Sequence, residues 1–393
     1  MIRILRSGWL IGFMLLGMGL AQGRTGTIIG RVVDQTGAVI PEAVIQLWEP
    51  TTGVHRMVRT DHTGEFRFEQ LGPGRYRILV SAEGFASQSR DIVLTAGAHL
   101  EPTFALSPQP LAEEVVVLAG TIVDTPEVLR RIPGSVEILD RWAFEASRIF
   151  TVNEALRKVT GVFAREEEGF GLRPNIGIRG LNPTRSTKVL LLEDGIPLTY
   201  APYGDNASYY HPPVDRFESI EVIKGSGQIL YGPMTIGGVI NYITPNPPEK
   251  PRGAVTLIGG NRDYLNGHFT YGGTWGGTGL LFDYLRKQGE GARENTRTGL
   301  NDANLKIVTA LGSKHALTIK GNYYGENSQV TYSGLRLDEY LANPRQNPFL
   351  NDRFLGDRYG ASVTHAYVVR NEVVLTTNVY GSMFFRDWWR QSS

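Results

Sequence analysis

Short runs in which apolar and polar residues alternate, separated by turn-forming residues, make up most of this 393-residue chain. Between residues 26 and 106 the runs include GTIIGRVVD, AVIQLWE and RYRILVSA, with DHTG and GPG among the segments between them. Alternation of this kind predicts half-buried β-strands, and the Gly, Pro and Asp clusters predict turns. This first block is therefore predicted to be a small β-sandwich.

The middle of the chain, residues 121–250, mixes strand and helix patterns. Its apolar runs predict short strands at Ser135–Leu139, Lys188–Leu192 and Ile220–Ile223. The run NEALRKV at Asn153–Val159 predicts a short helix that Gly161 closes. Glycine-rich segments between these elements require tight turns, so this block is predicted to be a compact α+β domain.

From residue 251 to residue 393 the runs lengthen to about ten residues with a period of two, as in Leu317–Tyr323 and Val373–Tyr380. Roughly seven such runs predict long antiparallel strands with one face toward lipid and the other toward an interior. Six aromatic residues are predicted near strand ends, as in an aromatic girdle: Tyr323, Tyr324, Phe384, Phe385, Trp388 and Trp389. A soluble β-sandwich is the alternative for this block, because alternation is a weaker signal than a hydrophobic helix.

The N-terminus has the parts of a secretory signal. Arg3 and Arg6 precede an apolar run from Trp9 to Leu20, and small residues surround Ala21. This order predicts a signal peptide over residues 1–21 with cleavage after Ala21, and an uncleaved anchor is the alternative. No later run approaches the roughly 20 apolar residues that a spanning helix needs.

Composition and scattered polar residues argue against catalysis. The chain has 40 basic and 39 acidic residues, so its net charge of +1 gives no electrostatic argument for nucleic acid. It has no cysteine, which excludes disulfides, thiol chemistry and thiolate metal sites. The seven histidines are scattered, and Gly225-Ser226-Gly227 lacks the strand-to-helix elbow of a hydrolase nucleophile. His62 and Glu65 flank a glycine turn and are interpreted as solvated. We expect no enzyme activity, no protein-bound metal and no cofactor.

The segment from Ile176 to Thr244 contains IGIRGLNP, VLLLEDGIPL, APYGDNASYY, SIEVIKGSGQILYGP and IGGVINYIT. Together these motifs resemble the plug of TonB-dependent outer-membrane receptors, and Arg173–Tyr242 is most similar to the ferric citrate receptor branch. Residues 24–107, with GRVVDQTGAVIPEAVIQL and TDHTGEFRFEQLGPGRYRILVSAEGF, resemble the carboxypeptidase regulatory-like domain. The resemblance implies a non-catalytic, transthyretin-like β-sandwich there.

The resemblance also implies an order of domains. Residues 108–120 would be a linker, residues 121–250 the plug and residues 251–393 the N-terminal portion of a transmembrane β-barrel. Plugged transporters of this type resemble one another in having barrels of about 22 strands. The roughly seven strands of this chain therefore predict a truncated chain, a split protein or a companion chain that completes the barrel. The linker contains a segment that looks like a Ton box, which the periplasmic TonB energy-coupling protein would capture by strand addition: Glu114, Val115, Val116, Val117, Leu118 and Ala119. A further sandwich strand is the alternative for it.

Two plug loops would face outward, one after Arg179-Gly180 and one after Asp194-Gly195. The residues predicted to bind ligand are Arg173, Asn182, Thr184, Arg185, Thr199, Tyr200 and Tyr203. Arg185 would donate to a carboxylate and Tyr203 would form a stacking wall. Arg179 and Glu221 lie within strand-like stretches and are predicted to form structural ion pairs.

The leading hypothesis is a mainly β outer-membrane transporter that imports a ferric siderophore, with a ferric citrate-type carboxylate chelate as the nearest analogue. Iron would arrive already chelated, so the protein itself would supply no iron ligand. The proton gradient of the inner membrane would drive uptake, and the N-terminal sandwich would lie in the periplasm. The alternatives are uptake of another nutrient such as a glycan, and a secreted carbohydrate-binding or adhesion β-protein.

Overall fold

The computed structural model describes residues 25–49, 54–82, 84–108, 134–167, 170–198, 210–225, 231, 235–331, 333–370 and 373–391. It divides into two compact units, Met1–Pro108 and Gln109–Ser393. The predicted signal peptide, the predicted Ton box and nearly all of the linker around it lie outside the described residues.

The first unit consists of two four-stranded sheets. Its strands are β1 Gly26–Asp34, β2 Val44–Glu49, β3 Val54–Arg59, β4 Glu65–Leu71, β5 Gly74–Ser81, β6 Gln88–Leu94, β7 His99–Leu100 and β8 Thr103–Leu106. In one sheet β1 pairs antiparallel with β4 and parallel with β7 and β8, and the other sheet has the antiparallel order β3-β2-β5-β6. Both sheets contribute to one core that includes Ile28, Phe104, Ile45 and Ile78. The predicted sandwich is confirmed.

The second unit begins with the α+β domain, whose elements are β9 Ser135–Asp140, α1 Arg141–Ser147, α2 Val152–Leu156, β10 Val162–Arg165, β11 Asn175–Ile178, β12 Val189–Glu193, β13 Ile196–Pro197, β14 Ser219–Lys224 and β15 Gly238–Ile243. Five strands form a sheet in the order β13-β12-β15-β14-β9, in which β12 and β15 run parallel and the other neighbours antiparallel. Strands β10 and β11 form a separate antiparallel pair.

The predicted helix is present but shorter than the sequence indicates. It begins after Thr151, whose hydroxyl accepts a hydrogen bond from the backbone of Glu154, and it ends at Leu156. The backbone N–H groups of Lys158 and Val159 each bond to the carbonyl three residues earlier, which tightens the chain into turns. Gly161 follows with a φ of 75°, a conformation that glycine adopts without steric cost.

The rest of the chain forms a seven-stranded antiparallel sheet whose strands follow the order of the sequence. They are β16 Arg252–Gly259, β17 Leu265–Trp275, β18 Thr278–Glu290, β19 Arg297–Ala310, β20 His315–Ser328, β21 Arg353–Arg370 and β22 Val373–Trp389, and a short helix, α3 Leu337–Ala342, lies between β20 and β21. Within the described residues β16 and β22 each pair on one side only. The predicted number of strands is therefore confirmed.

One face of this sheet packs on the α+β domain and the other face is open. Leu285, Leu300 and Tyr324 of the sheet belong to the same buried cluster as the α+β core. The opposite face exposes large apolar side chains, among them Val255, Leu257, Phe269, Phe282, Ile319, Val363 and Val379. The period-two pattern therefore separates an inner face from an apolar outer face.

The predicted aromatic girdle needs a correction. Phe385 and Trp389 are exposed, as predicted, but Tyr324, Phe384 and Trp388 lie on the inner face. Tyr324 is buried with its ring 5.0 Å from that of Tyr210. Successive residues of a strand point to opposite faces, so an adjacent aromatic pair cannot lie entirely on the lipid side.

The two ends of the sheet differ in the length of their connections. Residues 276–277, 311–314 and 371–372 link strands at one end, whereas residues 260–264, 291–296 and 329–352 link them at the other. In outer-membrane sheets of this kind the short turns are periplasmic and the long loops extracellular. No helix within the described ranges has the length and apolar character needed to cross a membrane.

Candidate functional site

The first predicted ligand loop is an exposed turn anchored to a buried strand. Asn182 accepts a hydrogen bond from the backbone N–H of Thr184 at 3.0 Å, and Asn175 of β11 accepts one from the backbone N–H of Arg185 at 2.6 Å. The Arg185 φ is 57°, a left-handed conformation. Asn182, Thr184 and Arg185 are all exposed, so the structure brings three predicted ligand residues together on one turn.

The second predicted loop, with Thr199, Tyr200 and Tyr203, lies outside the described residues. Its flanking residues Leu198 and Tyr210 are buried. Both ends of this loop are therefore fixed in the core, and the role of its residues stays a prediction.

Arg173 lies at the interface with the sheet, in contrast to the exposed turn. Its Nη2 is 2.7 Å from Glu326 Oε1 of β20, and its guanidinium lies 4.0 Å from the ring centre of Phe354 of β21. Arg173 and Glu326 are both almost fully buried. The observed role of Arg173 is a contact between the α+β domain and the sheet, and ligand binding by it stays a prediction.

The two residues predicted to form structural ion pairs have different surroundings. Arg179 is exposed in a turn with a φ of 53°, and within the described parts of the chain no carboxylate lies within 4.0 Å of its guanidinium. Glu221 is buried on β14, where its Oε2 accepts a hydrogen bond from Asn241 Nδ2 at 2.9 Å. Among the described residues Arg179 thus forms no ion pair, and its side chain is exposed to solvent.

The ion pairs between the α+β domain and the sheet are formed by residues that were not predicted as site residues. Arg216 ends a 3-10 turn, and its Nη1 lies 2.9 and 3.1 Å from the two carboxylate oxygens of Asp302 and 2.7 Å from Asn304 Oδ1. Its Nη2 contacts the carboxylate of Glu193. A single buried guanidinium thus joins the end of β12 to strand β19.

Two lysines of the sheet complete this cluster. Lys320 Nζ lies 2.7 Å from both Glu193 Oε1 and Asp194 Oδ2, and Lys306 Nζ lies 3.5 Å from Asp194. Burial alone raises the pKa of Glu193, but the charges of Arg216 and Lys320 outweigh it and lower that pKa to about 2. Burial likewise opposes ionisation of Asp194, yet Lys306 and Lys320 hold its pKa well below the ordinary range. Both carboxylates are therefore ionised at neutral pH.

A second interface pair adjoins the cluster. Asp215 lies 3.2 Å from Lys287 Nζ of β18 and accepts a hydrogen bond of 2.6 Å from Asn266 of β17. Lys287 also donates to the backbone carbonyl of Phe150 at 2.8 Å. Asp215 and Arg216 thus fix one 3-10 turn to three neighbouring strands of the sheet.

The sequence does contain a pattern that could have indicated this cluster. Within three strands, charged residues recur an even number of positions apart: Asp283 and Lys287, Asp302 and Lys306, and Lys320 and Glu326. Such residues on one face of a strand must face water, a pore or a charged partner. Across the described ranges, no group of three metal-ligating side chains comes together.

Comparisons with known proteins agree with this architecture. Residues 27–107 match the model of the carboxypeptidase regulatory-like domain, and residues 128–239 match that of the TonB-dependent receptor plug domain. The chain is 31% identical over 173 residues to the vitamin B12 transporter BtuB of Vibrio vulnificus, covering 44% of this chain and 27% of the relative. A BtuB of Photobacterium profundum is 25% identical over 236 residues, covering 58% and 38%.

Among solved structures, the unliganded ferric citrate transporter FecA aligns with a TM-score of 0.63 and 26% identity, over 69% of this chain and 43% of FecA. The ferric yersiniabactin receptor FyuA of Yersinia pestis shares the fold, with a TM-score of 0.56, 16% identity, and coverage of 66% and 42%. The chain thus spans less than half the length of these proteins. It contains a plug domain of the TonB-dependent receptor type, which contacts a barrel-type sheet, and a carboxypeptidase regulatory-like domain that precedes both in the sequence.

Proposed function

We propose that this chain is the plug-bearing part of an outer-membrane transporter that takes up a ferric siderophore of the carboxylate type, such as ferric citrate. The observation that carries the proposal is the exposed turn with Asn182, Thr184 and Arg185, which offers a guanidinium and hydrogen-bonding groups on an anchored plug loop. Guanidinium binds carboxylates with two parallel hydrogen bonds, so this turn suits an anionic chelate. The 26% identity with FecA supports the same ligand class.

Energy would come from the periplasmic side. The segment Glu114–Ala119 has the β-branched character of a strand that TonB could capture, and it precedes the plug in the sequence. The related receptors support an outer-membrane location. In that location the N-terminal sandwich would lie in the periplasm. Iron would remain bound to its chelator throughout.

Uptake of a corrinoid is the second candidate, because the sequence relatives include vitamin B12 transporters. A corrinoid presents a large neutral face and amide groups, for which aromatic contacts matter more than one guanidinium. The two candidates therefore differ in how strongly they depend on Arg185.

The test is calorimetry with the full-length receptor in detergent, using ferric dicitrate, a ferric catecholate and vitamin B12. We expect saturable binding of ferric dicitrate alone, with an affinity reduced about 10- to 100-fold in Arg185→Ala, since a charge-assisted hydrogen bond contributes about 1.5–3 kcal/mol. Arg179→Ala is the matched control, because both arginines are exposed in turns with positive φ. Binding of vitamin B12 alone would replace the first candidate by the second, and equal loss in both variants would remove the specific role of Arg185.

A further inference from the structure

Three arginines lie together on the outer face of the sheet, near the end with the long loops. Arg286 is on β18, Arg297 begins β19 and Arg353 begins β21. The residues that follow them, Lys287, Thr298 and Phe354, are buried on the inner face, so alternation directs the arginines outward. The three line one recess of about 720 Å³.

The recess lies just beyond a row of tyrosines. Tyr284, Tyr323 and Tyr359 occupy one cross-strand row, in which Tyr284 and Tyr323 both pair with Ala303 and Tyr323 pairs with Tyr359. The ring centres of Tyr323 and Tyr359 are 5.1 Å apart. On the short-turn side of this row the outer face is apolar, with Phe282, Leu305, Ile319 and Val363. On the long-loop side it becomes polar, beginning with Arg286, Asn301 and Asp357.

This change marks the level at which lipid tails give way to headgroups. Transmembrane sheets carry an apolar band of about 25 Å bounded by aromatic residues at both interfaces. The recess therefore faces the headgroup region of the outer leaflet, an inference that rests on the outer-membrane orientation proposed above.

Within the described residues, the arginines of the recess form no ion pair. In the part of the chain that the structure describes, no carboxylate lies within 4.0 Å of the guanidinium of Arg286, Arg297 or Arg353. Arg286 donates to Gln288 Oε1 at 2.9 Å and Arg353 to Asn327 Oδ1 at 3.3 Å. On the same face, Tyr323 donates to Asp357 at 2.9 Å, and Glu290, the exposed cross-strand neighbour of Arg297, does not come within 4.0 Å of its guanidinium.

The inner face of the same strands is arranged differently. Three lysines of that face, Lys287, Lys306 and Lys320, each have a plug carboxylate within 4.0 Å, whereas the buried Arg358 donates to Asn322 and lies over the ring of Tyr210. Within the described residues, plug carboxylates thus neutralise the three inner lysines, and no carboxylate contacts the three outer arginines. An external anion would complete the recess.

The shape and the donors of the recess specify that anion. Gly299 lies at its centre, where Arg286 Nη2 would be 3.2 Å from a Cβ atom, so the lack of a side chain keeps the floor open. The amides of Gln288, Asn301, Asn327 and Gln329 surround the guanidiniums. Guanidinium binds phosphate with two parallel hydrogen bonds, and amides suit the hydroxyl and amide groups of a sugar. We infer that Arg286, Arg297 and Arg353 bind the phosphorylated sugar headgroup of an outer-leaflet glycolipid, such as the diphosphorylated disaccharide of lipid A.

The test is native mass spectrometry of the full-length receptor purified from outer membranes, stripped of lipid in detergent and titrated with diphosphoryl lipid A. The variant is Arg286→Gln combined with Arg297→Gln and Arg353→Gln. The matched control replaces Arg262, Arg336 and Arg345 by Gln, because these exposed arginines lie in loops at the same end but outside the recess. Circular dichroism of both variants checks that the β-structure is retained.

We expect wild type and control to retain diphosphoryl lipid A and the recess variant to bind it at least tenfold more weakly. Monophosphoryl lipid A should bind to the wild type more weakly than diphosphoryl lipid A does. Phosphatidylethanolamine should not displace bound diphosphoryl lipid A. Equal retention by wild type and recess variant would overturn the inference. Displacement of the lipid by equimolar inorganic phosphate would also overturn it, because the site would then recognise free phosphate. Chelate binding to the same variants reports on the proposed transport function separately, since the recess lies on the opposite face of the sheet from the plug.

Discussion

Arg216 of the plug and Asp302 of the sheet form a buried ion pair, with Arg216 Nη1 lying 2.9 and 3.1 Å from the two carboxylate oxygens. Asp302 has no exposed surface and Arg216 almost none. Because Glu193 also contacts this guanidinium, one cation balances carboxylates from both domains. The plug is thus held in the sheet by charges that neither domain could bury alone.

Replacing Arg216 by Met should destabilise the receptor by about 3–5 kcal/mol, because Asp302 would keep a buried charge that has lost its main partner. The free energy of unfolding would be measured by urea titration in detergent, followed by tryptophan fluorescence. Arg141→Ala is the control, since Arg141 and Glu145 form an exposed pair on α1 whose loss should cost under about 1 kcal/mol. The combination of Arg216→Met with Asp302→Asn should recover part of the loss. A cost for Arg216→Met no larger than that of the control would contradict the role of the pair.

The stability of the plug should depend on pH through His211. Burial lowers the pKa of His211 from 6.5 to about 3, and the ring bonds to the Tyr242 hydroxyl at 2.8 Å. The folded state binds the proton less readily than the unfolded state, so stability is full above the unfolded pKa and falls as the pH drops below it. The expected slope is about 1.4 kcal/mol per pH unit between roughly pH 6 and pH 5.

The variant His211→Gln should flatten the curve in that interval. The depressed pKa values of Glu193 and Asp194 act at lower pH, because their contribution is present above their unfolded values near 4.5 and 3.8 and disappears only as the pH falls further. Parallel stability curves for wild type and His211→Gln from pH 7 to pH 5 would show that His211 is not the titrating group.

Local pattern was sufficient to predict the elements of this fold. The strand predicted at Ser135–Leu139 is observed at Ser135–Asp140, and the two long alternating runs tested, in β20 and β22, are strands. These predictions succeed because alternation and turn residues are properties of neighbouring positions. The predicted helix extends to Val159, but the observed helix ends at Leu156. Over so short a segment, the same spacing of apolar residues fits both a helix and a series of tight turns.

The interface was not predictable in the same way. Asp302 lies 86 residues from Arg216, and their contact depends on which strands lie against the plug and in which register. The neighbours Tyr323 and Tyr324 have the same side chain, yet one lies on the outer face and the other is buried against Tyr210. Only the position of the plug decides which face is buried, and a single sequence does not encode that position locally.

The predicted Ton box can be tested by backbone chemistry. Val116→Pro should abolish energised uptake while leaving ligand binding unchanged, because proline removes the N–H needed for pairing with an added strand. Val116→Thr is the control, since it keeps both the N–H and the β-branched shape. Uptake of radiolabelled ferric dicitrate by whole cells, with and without a proton uncoupler, is the measurement. Normal uptake by the proline variant would move the TonB contact to another segment.

Gly238 should be among the least replaceable residues of the plug sheet. Its φ is 152°, and an added Cβ would lie 2.4 Å from the carbonyl oxygen of Ile223 on the adjacent strand β14. Both the backbone conformation and the close approach disfavour a side chain, so Gly238→Ala should cost about 1–3 kcal/mol or more. Gly321→Ala on β20 is the matched control, because no atom within the described residues lies within 4 Å of a Cβ built there. Protease resistance of the plug and the urea midpoint should both fall in Gly238→Ala only. If the protease resistance and the urea midpoint were the same in the two variants, β14 and β15 would have to separate enough to admit a methyl group. The parallel pairing of β12 with β15 would then be less rigid than this geometry implies.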